Sequence, residues 1–171
     1  MRLARTLGTA AAAVALTVFA APAGATIINL YANLDGAQET PPVVTPATGN
    51  ATITYDDVLN LLSWTINYSG LLGTSTNAHF HGPAAVGVGP AGVRVGIPFT
   101  AGLTADTLIG SATISEAFET ELLAQLWYIN IHSTVAGGGE IRGQVIPEPG
   151  TLLLMGLGLL AVAARRRPRY G

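Results

Sequence analysis

The sequence predicts an all-β domain, an antiparallel β-sandwich or barrel with one short helix. Several segments alternate between large apolar and small polar residues with a period of two, which is typical of half-buried strands. The clearest is residues 62–69, where Leu62, Trp64, Ile66 and Tyr68 share one face. Glycine and proline turns separate these segments and helical periodicity is nearly absent, so packed antiparallel sheets are favoured.

The individual elements follow from this alternation and from the turns between the segments. One helix is expected at residues 115–125, because Ser115 can cap it and Phe118, Leu122 and Leu126 recur at four-residue spacing. We expect this helix to lie across one end of the sheets. Residues 82–92 hold four glycines and two prolines without a charge, which predicts an exposed loop. Strands are expected at residues 28–34, 51–55, 62–69, 107–114, 126–132 and 140–146.

Residues 1–25 have the three parts of a secretory signal peptide. Arg2 and Arg5 precede an apolar run at residues 7–20, and Ala23 and Ala25 provide the small residues of a cleavage site. We therefore expect a signal peptidase to act on the chain and the mature protein to begin at Thr26. The alternative is a permanent N-terminal anchor, for which the apolar run is short.

Residues 147–171 form a second targeting segment. Pro147, Glu148 and Pro149 precede an apolar run at residues 151–164, and four arginines follow within residues 165–169. This arrangement resembles the PEP-CTERM sorting signal of bacterial envelope proteins, which an exosortase recognises and cuts. The resemblance implies a secreted or cell-envelope protein of a Gram-negative-type bacterium.

The apolar run of this tail predicts a hydrophobic helix that holds the chain transiently in the inner membrane. Its 14 residues span about 21 Å as a helix, less than the roughly 30 Å of a hydrocarbon core. Crossing therefore needs snorkelling arginines or local thinning of the bilayer. The arginines favour the cytoplasmic side, which leaves the domain outside. The alternative is a permanent C-terminal anchor that is never processed.

Charge is segregated along the chain. Six of the eight arginines lie in the two targeting segments, lysine is absent, and residues 26–146 hold two arginines against nine acidic residues. A domain with a net charge near −7 repels phosphate backbones, so we expect no nucleic-acid partner. The absence of cysteine excludes disulfides, thiol nucleophiles and thiolate metal sites.

All three histidines lie in two short segments. His79 and His81 are two residues apart, so on a strand their side chains project from the same face. His132 lies about 50 residues further along the chain. Such a set can hold zinc or copper, since imidazole binds both metals well. The alternative is that the histidines hydrogen-bond loop backbone and hold the turn that begins at Gly82.

Glu140 and Arg142 share a face on the last predicted strand, so we expect a structural ion pair that ties this strand to a neighbour. Enzymatic motifs are absent, since the sequence has no Gly-x-Ser-x-Gly elbow, no His-Glu-x-x-His helix and no cysteine nucleophile. We therefore expect no enzymatic activity and no cofactor other than the copper or zinc considered above.

Four segments resemble the signature blocks of the CHRD domain, which is named after chordin and is widespread in exported bacterial proteins. They are residues 34–42, 78–84, 127–133 and 139–144, which read LDGAQETPP, AHFHGPA, WYINIHS and GEIRGQ. The blocks occur in order and span nearly the whole domain, about residues 29–146. The resemblance implies an extracellular module with an immunoglobulin-like β-fold and a poorly defined biochemical role.

Three parts are thus expected: a signal peptide at residues 1–25, a CHRD domain at residues 26–146 and a sorting signal at residues 147–171. We expect a non-enzymatic binding or structural role in the cell envelope or a biofilm matrix, with extracellular polysaccharide or matrix proteins as partners. The alternative is an extracytoplasmic metalloprotein that holds copper or zinc with His79, His81 and His132.

Overall fold

The computed structural model describes residues 26–148, so the predicted signal peptide and the hydrophobic helix of the tail lie outside the described residues. No helix within residues 26–148 is long and apolar enough to cross a membrane. A 3-10 turn covers Gly36–Gln38. The other elements of this part are β1 (Ile27–Asp35), β2 (Thr48–Asp56), β3 (Leu61–Ser69), β4 (Ser75–His81), β5 (Val93–Gly96), β6 (Asp106–Thr113), α1 (Glu116–Leu123), β7 (Tyr128–Ser133), β8 (Ile141–Gln144) and β9 (Ile146–Pro147).

The strands form one antiparallel sheet that curls into a nearly closed barrel or sandwich. The order of neighbouring strands is β5-β4-β7-β8-β1-β2-β3-β6, and the short β9 pairs with β1. The first strand therefore lies in the middle of the sheet, between β2 and the last strands of the domain. The predicted all-β antiparallel fold with one short helix is confirmed.

The core lies on the inner face of this sheet and follows the predicted alternation. Along β3, Leu62, Trp64, Ile66 and Tyr68 are buried, while the residues between them are partly or fully exposed. Trp64 meets Phe80 of β4 edge to face, with 5.1 Å between ring centroids. Apolar side chains of β1, β2, β7 and β8 complete the same core, so one contiguous apolar cluster holds the sheet.

The helix begins where the capping residue predicted it. The Ser115 hydroxyl accepts a hydrogen bond from the Phe118 backbone N–H at 3.3 Å, and Leu122 is fully buried against the core. The guanidinium of Arg94 on β5 donates to the carboxylate of Glu121 at 2.7 Å, which ties the helix to the edge of the sheet.

The observed strands differ from the sequence prediction in three places. The predicted last strand is divided into β8 and β9 at Val145, although the backbone N–H of Val145 still donates to the Trp127 carbonyl at 2.8 Å. Two observed strands are absent from the predicted set. Strand β4 begins four residues before the histidine pair, and β5 follows the glycine-rich loop. Neither strand has the regular alternation of large apolar residues that identifies the others, so periodicity alone could not delimit them.

Candidate metal centre

The pairing of β4 with β7 brings the three histidines together. In this antiparallel register Asn77 is opposite His132, His79 is opposite Asn130, and His81 is opposite Tyr128. The alternate residues on both strands, such as Phe80 on β4 and Ile131 on β7, are fully buried in the core. The histidines consequently share the outer face of the sheet, although His81 and His132 are far apart in sequence.

Their nitrogen atoms are close enough to share one ion. The Nδ1 atom of His79 lies 3.3 Å from Nε2 of His132. Two nitrogens that bind one ion at 2.0–2.1 Å in tetrahedral geometry are about 3.3–3.4 Å apart, so this pair already has the required separation. One ligand atom from each histidine can be chosen so that all three lie within 4.8 Å of one another. A side-chain adjustment of at most about 1.5 Å therefore brings His81 to the same ion.

Two of the imidazoles are oriented by backbone carbonyls. Nδ1–H of His81 donates to the Ala91 carbonyl at 2.9 Å, and Nδ1–H of His132 donates to the Gly137 carbonyl at 3.0 Å. These bonds assign the proton to Nδ1 and leave a lone pair on Nε2, which is the form that binds metals. The Nε2 atom of His81 is buried and has no hydrogen-bond partner. A buried acceptor without a donor is uncommon and indicates a missing ligand or water.

The electrostatics of the cluster favour neutral imidazoles. Burial lowers the pKa of His79 below its ordinary value of 6.5, and the neighbouring His132 and His81 lower it further. Burial also lowers the pKa of His81, with further lowering from His132 and Arg142 against the opposing bond to Ala91. Both side chains are therefore unprotonated at pH 7 and can donate a lone pair to a cation.

Tyr128 connects the histidine cluster to Arg142 on β8. The His81 and Tyr128 rings are stacked, with 5.1 Å between centroids and an angle of 7° between planes. The guanidinium carbon of Arg142 lies 3.4 Å from the centroid of the Tyr128 ring, a close cation–π contact. Arg142 also donates to the Val88 carbonyl at 2.7 Å and to the Thr40 hydroxyl at 3.3 Å. It therefore holds two loops over the outer face of the sheet.

The predicted ion pair between Glu140 and Arg142 is wrong. Glu140 lies just before β8, and its buried carboxylate accepts hydrogen bonds from the Thr45 hydroxyl at 2.7 Å and from the backbone N–H groups of Leu72 and Gly73 at 2.6 and 3.3 Å. Burial raises the pKa of Glu140, but the Ser133 side chain together with these donors outweighs burial and holds the pKa below its ordinary value. The Glu140 carboxylate therefore receives its hydrogen bonds from neighbouring loops. Arg142 instead contacts the Tyr128 ring and the loops that cover the sheet.

A second group of buried polar residues lies beside the histidines and was not found from the sequence. Glu39 is 6% exposed and Asn130 is 4% exposed, and the Oε1 and Oδ1 atoms of these side chains have no partner. Burial raises the pKa of Glu39 to about 7, although Arg142 acts to lower it. A Cβ on Gly139 would collide with both side chains, so glycine is required there. The sequence marked Glu39 only by its place in the first of the four segments that resemble CHRD signature blocks.

The four segments that resemble the CHRD signature blocks meet on this one face. The first contributes Glu39 and Thr40 from a covering loop, and the second contributes His79 and His81. The third contributes Tyr128, Asn130 and His132, and the fourth contributes Arg142 and Gln144. The segments thus build a single layer of polar side chains between the sheet and its covering loops.

The predicted processing residues lie apart from this layer. Ala23, Ala25 and Pro149 are outside the described residues. Pro147 is the last residue of β9 and is opposite Leu30 of β1. The backbone N–H of Glu148 donates to the Asn29 carbonyl at 3.0 Å, so the sorting segment begins directly at the edge of the folded domain.

Comparison with protein families gives two matches. The model of the CHRD domain matches residues 30–145, and that of the PEP-CTERM protein-sorting motif matches residues 145–167. The comparisons with curated proteins and with solved structures give no match.

Proposed function

The chain belongs to the CHRD domain family and carries a PEP-CTERM sorting motif. We propose that the CHRD domain of this chain binds a copper or zinc ion through His79, His81 and His132. A CHRD domain followed by this motif fits an exported protein that an exosortase sorts, in the envelope or the surroundings of a Gram-negative bacterium. The role that we propose for the domain is binding, without a catalysed reaction.

The observation that carries the proposal is the convergence of three imidazoles on a rigid sheet. Two of them have fixed tautomers with a lone pair on Nε2. The Nε2 atom of His132 faces Nδ1 of His79, whereas the Nε2 atom of His81 is buried and lacks a partner. A purely structural role explains the Nδ1 bonds to loop carbonyls, but that buried lone pair then needs a water molecule as its donor. A bound cation satisfies it and also replaces the bond between His79 and His132 by two coordinate bonds.

Copper(II) should bind more tightly than zinc(II). Divalent ions follow the Irving–Williams order at nitrogen sites, and imidazole suits both metals. Three protein ligands leave a further coordination position for water. With neutral histidines as the only ligands, the site keeps the full charge of the ion, which the acidic domain around it tolerates.

Calorimetric titration of copper(II) and zinc(II) into the purified protein at pH 7.5 tests the proposal. We expect one ion per chain with a Kd below about 1 μM, which corresponds to roughly 8 kcal/mol. His81→Ala and His132→Ala should each weaken binding at least tenfold. Asn77→Ala, at an exposed position on β4, should leave the affinity for the metal unchanged. Binding that survives both histidine substitutions would be elsewhere, and no binding tighter than micromolar would leave the histidines as structural caps.

We also propose that the two ends of the chain are processed in sequence. A signal peptidase would cut after Ala25, and the apolar run at residues 151–164 would hold the chain in the inner membrane until the exosortase acts. Intact-mass analysis of protein from its host should then show a chain that begins near Thr26 and lacks residues 165–169. Glu148→Ala should block the second cut alone, whereas full-length tails in the membrane fraction of the unaltered protein would favour a permanent anchor.

Among the predicted partners, extracellular polysaccharide is the one that the surface chemistry of the domain favours.

A further inference from the structure

The middle of the outer face of β1, β2, β3 and β6 is uncharged. Three rows of side chains run across these four strands, and none of the twelve residues in the rows is acidic or basic. Ten of the twelve are serine, threonine or asparagine. An exposed sheet face in a soluble protein normally carries charged side chains, which keep it soluble and prevent edge or face association. This surface, which we call the neutral face, departs from that rule.

One row consists of Asn33, Asn50, Asn67 and Thr107, which are opposite one another across the four strands. The Asn67 amide donates to the Asn50 side-chain oxygen at 3.3 Å, and the Thr107 hydroxyl donates to the Asn67 side-chain oxygen at 2.8 Å. These bonds orient the amides before any ligand binds. Each amide still has unused donors or acceptors that point to solvent.

The middle row adds apolar surface to the hydrogen-bonding groups. It consists of Tyr31, Thr52, Thr65 and Ile109, and Ile109 is 70% exposed. A third row, which begins at Asn29, contains only asparagine, threonine and serine. Two shallow, open depressions follow the rows, one bordered by Asn50 and Asn67 and the other by Thr52 and Thr65.

Acidic residues surround the neutral face without entering it. Asp35 ends β1, Asp56 ends β2 and Asp106 begins β6, so each carboxylate lies at a strand end. Residues 26–146 carry nine acidic residues against two arginines. An anionic polymer is repelled by this rim and by the rest of the domain, whereas a neutral polymer is not. The negative charge of the domain thus favours an uncharged polymer over an anionic one as the partner.

We propose that the neutral face binds an uncharged polysaccharide. Amides and hydroxyls donate and accept hydrogen bonds, as sugar hydroxyls do, and Tyr31 and Ile109 offer apolar surface to the C–H face of a sugar ring. Neighbouring strands are about 4.8 Å apart, which is close to the length of one hexose unit, so the rows can contact successive sugars. Four strands give a platform about 14 Å wide, enough for about three units.

This inference is independent of the metal centre. The histidines lie on β4 and β7, whereas the neutral face lies on β1, β2, β3 and β6. Loss of one activity should therefore leave the other intact, and the two proposals can fail separately.

Binding of the exported protein to insoluble cellulose, measured by depletion from solution, tests the inference, with soluble dextran and anionic alginate as competitors. We expect binding to cellulose that dextran reduces and that alginate does not. Asn50→Asp and Asn67→Asp change one atom each and place a charge inside the rows, so the double variant should bind at least tenfold more weakly. Asn77→Asp is the matched control on β4 and should bind as the unaltered protein does.

Circular dichroism of the double variant shows whether it is folded. Absence of binding to cellulose and dextran by the unaltered protein overturns the inference, as does binding that both asparagine substitutions leave unchanged. Concentration-dependent dimerisation that the double variant abolishes, without binding to either glucan, would instead make the neutral face a contact between two copies of the chain.

Discussion

Replacing Glu39 by glutamine should make the protein more stable above neutral pH. Glu39 is 6% exposed, and its Oε1 atom has no partner next to the unpartnered Oδ1 of Asn130. A protonated carboxyl can donate to that oxygen, whereas a carboxylate places two acceptors together in a buried site. Glutamine has the same shape, remains uncharged at every pH and offers an N–H donor to Asn130.

The magnitude follows from the pKa. Burial raises the pKa of Glu39 from 4.5 to about 7. Between these values the folded state binds more protons than the unfolded state, so the stabilisation is complete below about pH 4.5 and is lost as the pH rises through about 7. A shift of this size corresponds to roughly 3 kcal/mol at 1.36 kcal/mol per pKa unit. This value is an upper limit, so we expect a difference of up to about 3 kcal/mol.

Urea unfolding followed by tryptophan fluorescence measures this effect, because Trp64 and Trp127 are both in the core. The free energies of unfolding of Glu39→Gln and the unaltered protein should agree near pH 4.5 and diverge in favour of the variant by pH 8. Titration of the histidines affects both proteins alike and cancels in the difference. Glu116→Gln, at an exposed helix position, is the control and should show a difference below about 0.5 kcal/mol. A difference for Glu39→Gln that is the same at every pH would refute the reasoning.

Three further outcomes are expected. Trp64→Ala should lower the free energy of unfolding by about 3–5 kcal/mol in urea titrations, and a neutral result would contradict the inward position of this side chain. Gly139→Ala should destabilise by about 3 kcal/mol or prevent folding, because Gly139 has φ of 131° and the added methyl group would collide with Glu39. Zinc affinity should stay nearly constant from pH 8 to pH 7 and fall as the pH decreases below about 6.5, because protons then compete for His79 and His81, whose pKa values are lowered. Calorimetry that finds no loss of affinity at any pH down to the acid unfolding of the protein would exclude these ligands.

The elements that could be predicted from the sequence are those in which local pattern and tertiary burial agree. Strands β1, β2, β3 and β6 alternate regularly because one face meets the core and the other meets solvent. The start of α1 was predictable from local sequence, because the Ser115 hydroxyl accepts a hydrogen bond from the backbone N–H of Phe118, only three residues away. The common face of His79 and His81 was predictable from strand geometry alone.

The remaining features depend on contacts between distant segments. His132 lies beside His79 only because β4 pairs with β7, and no local pattern specifies that pairing. Spacing on a strand favoured an ion pair between Glu140 and Arg142, but the donors that satisfy Glu140 come from residues 45, 72 and 73. The burial of Glu39 results from the loop that covers the sheet, so its sequence context resembles that of an exposed turn.

The central position of β1 has a consequence for the order of events during export. Strand β1 is the first to leave the translocation channel if the chain crosses N-terminus first, and β2 follows within about 20 residues. Its other neighbours, β8 and β9, lie more than 100 residues later in the chain. One edge of β1 therefore stays unpaired until almost the whole domain has crossed, and unpaired edges can associate with other chains. Closure of the sheet thus waits for residues 141–148, the same residues that lead into the sorting motif.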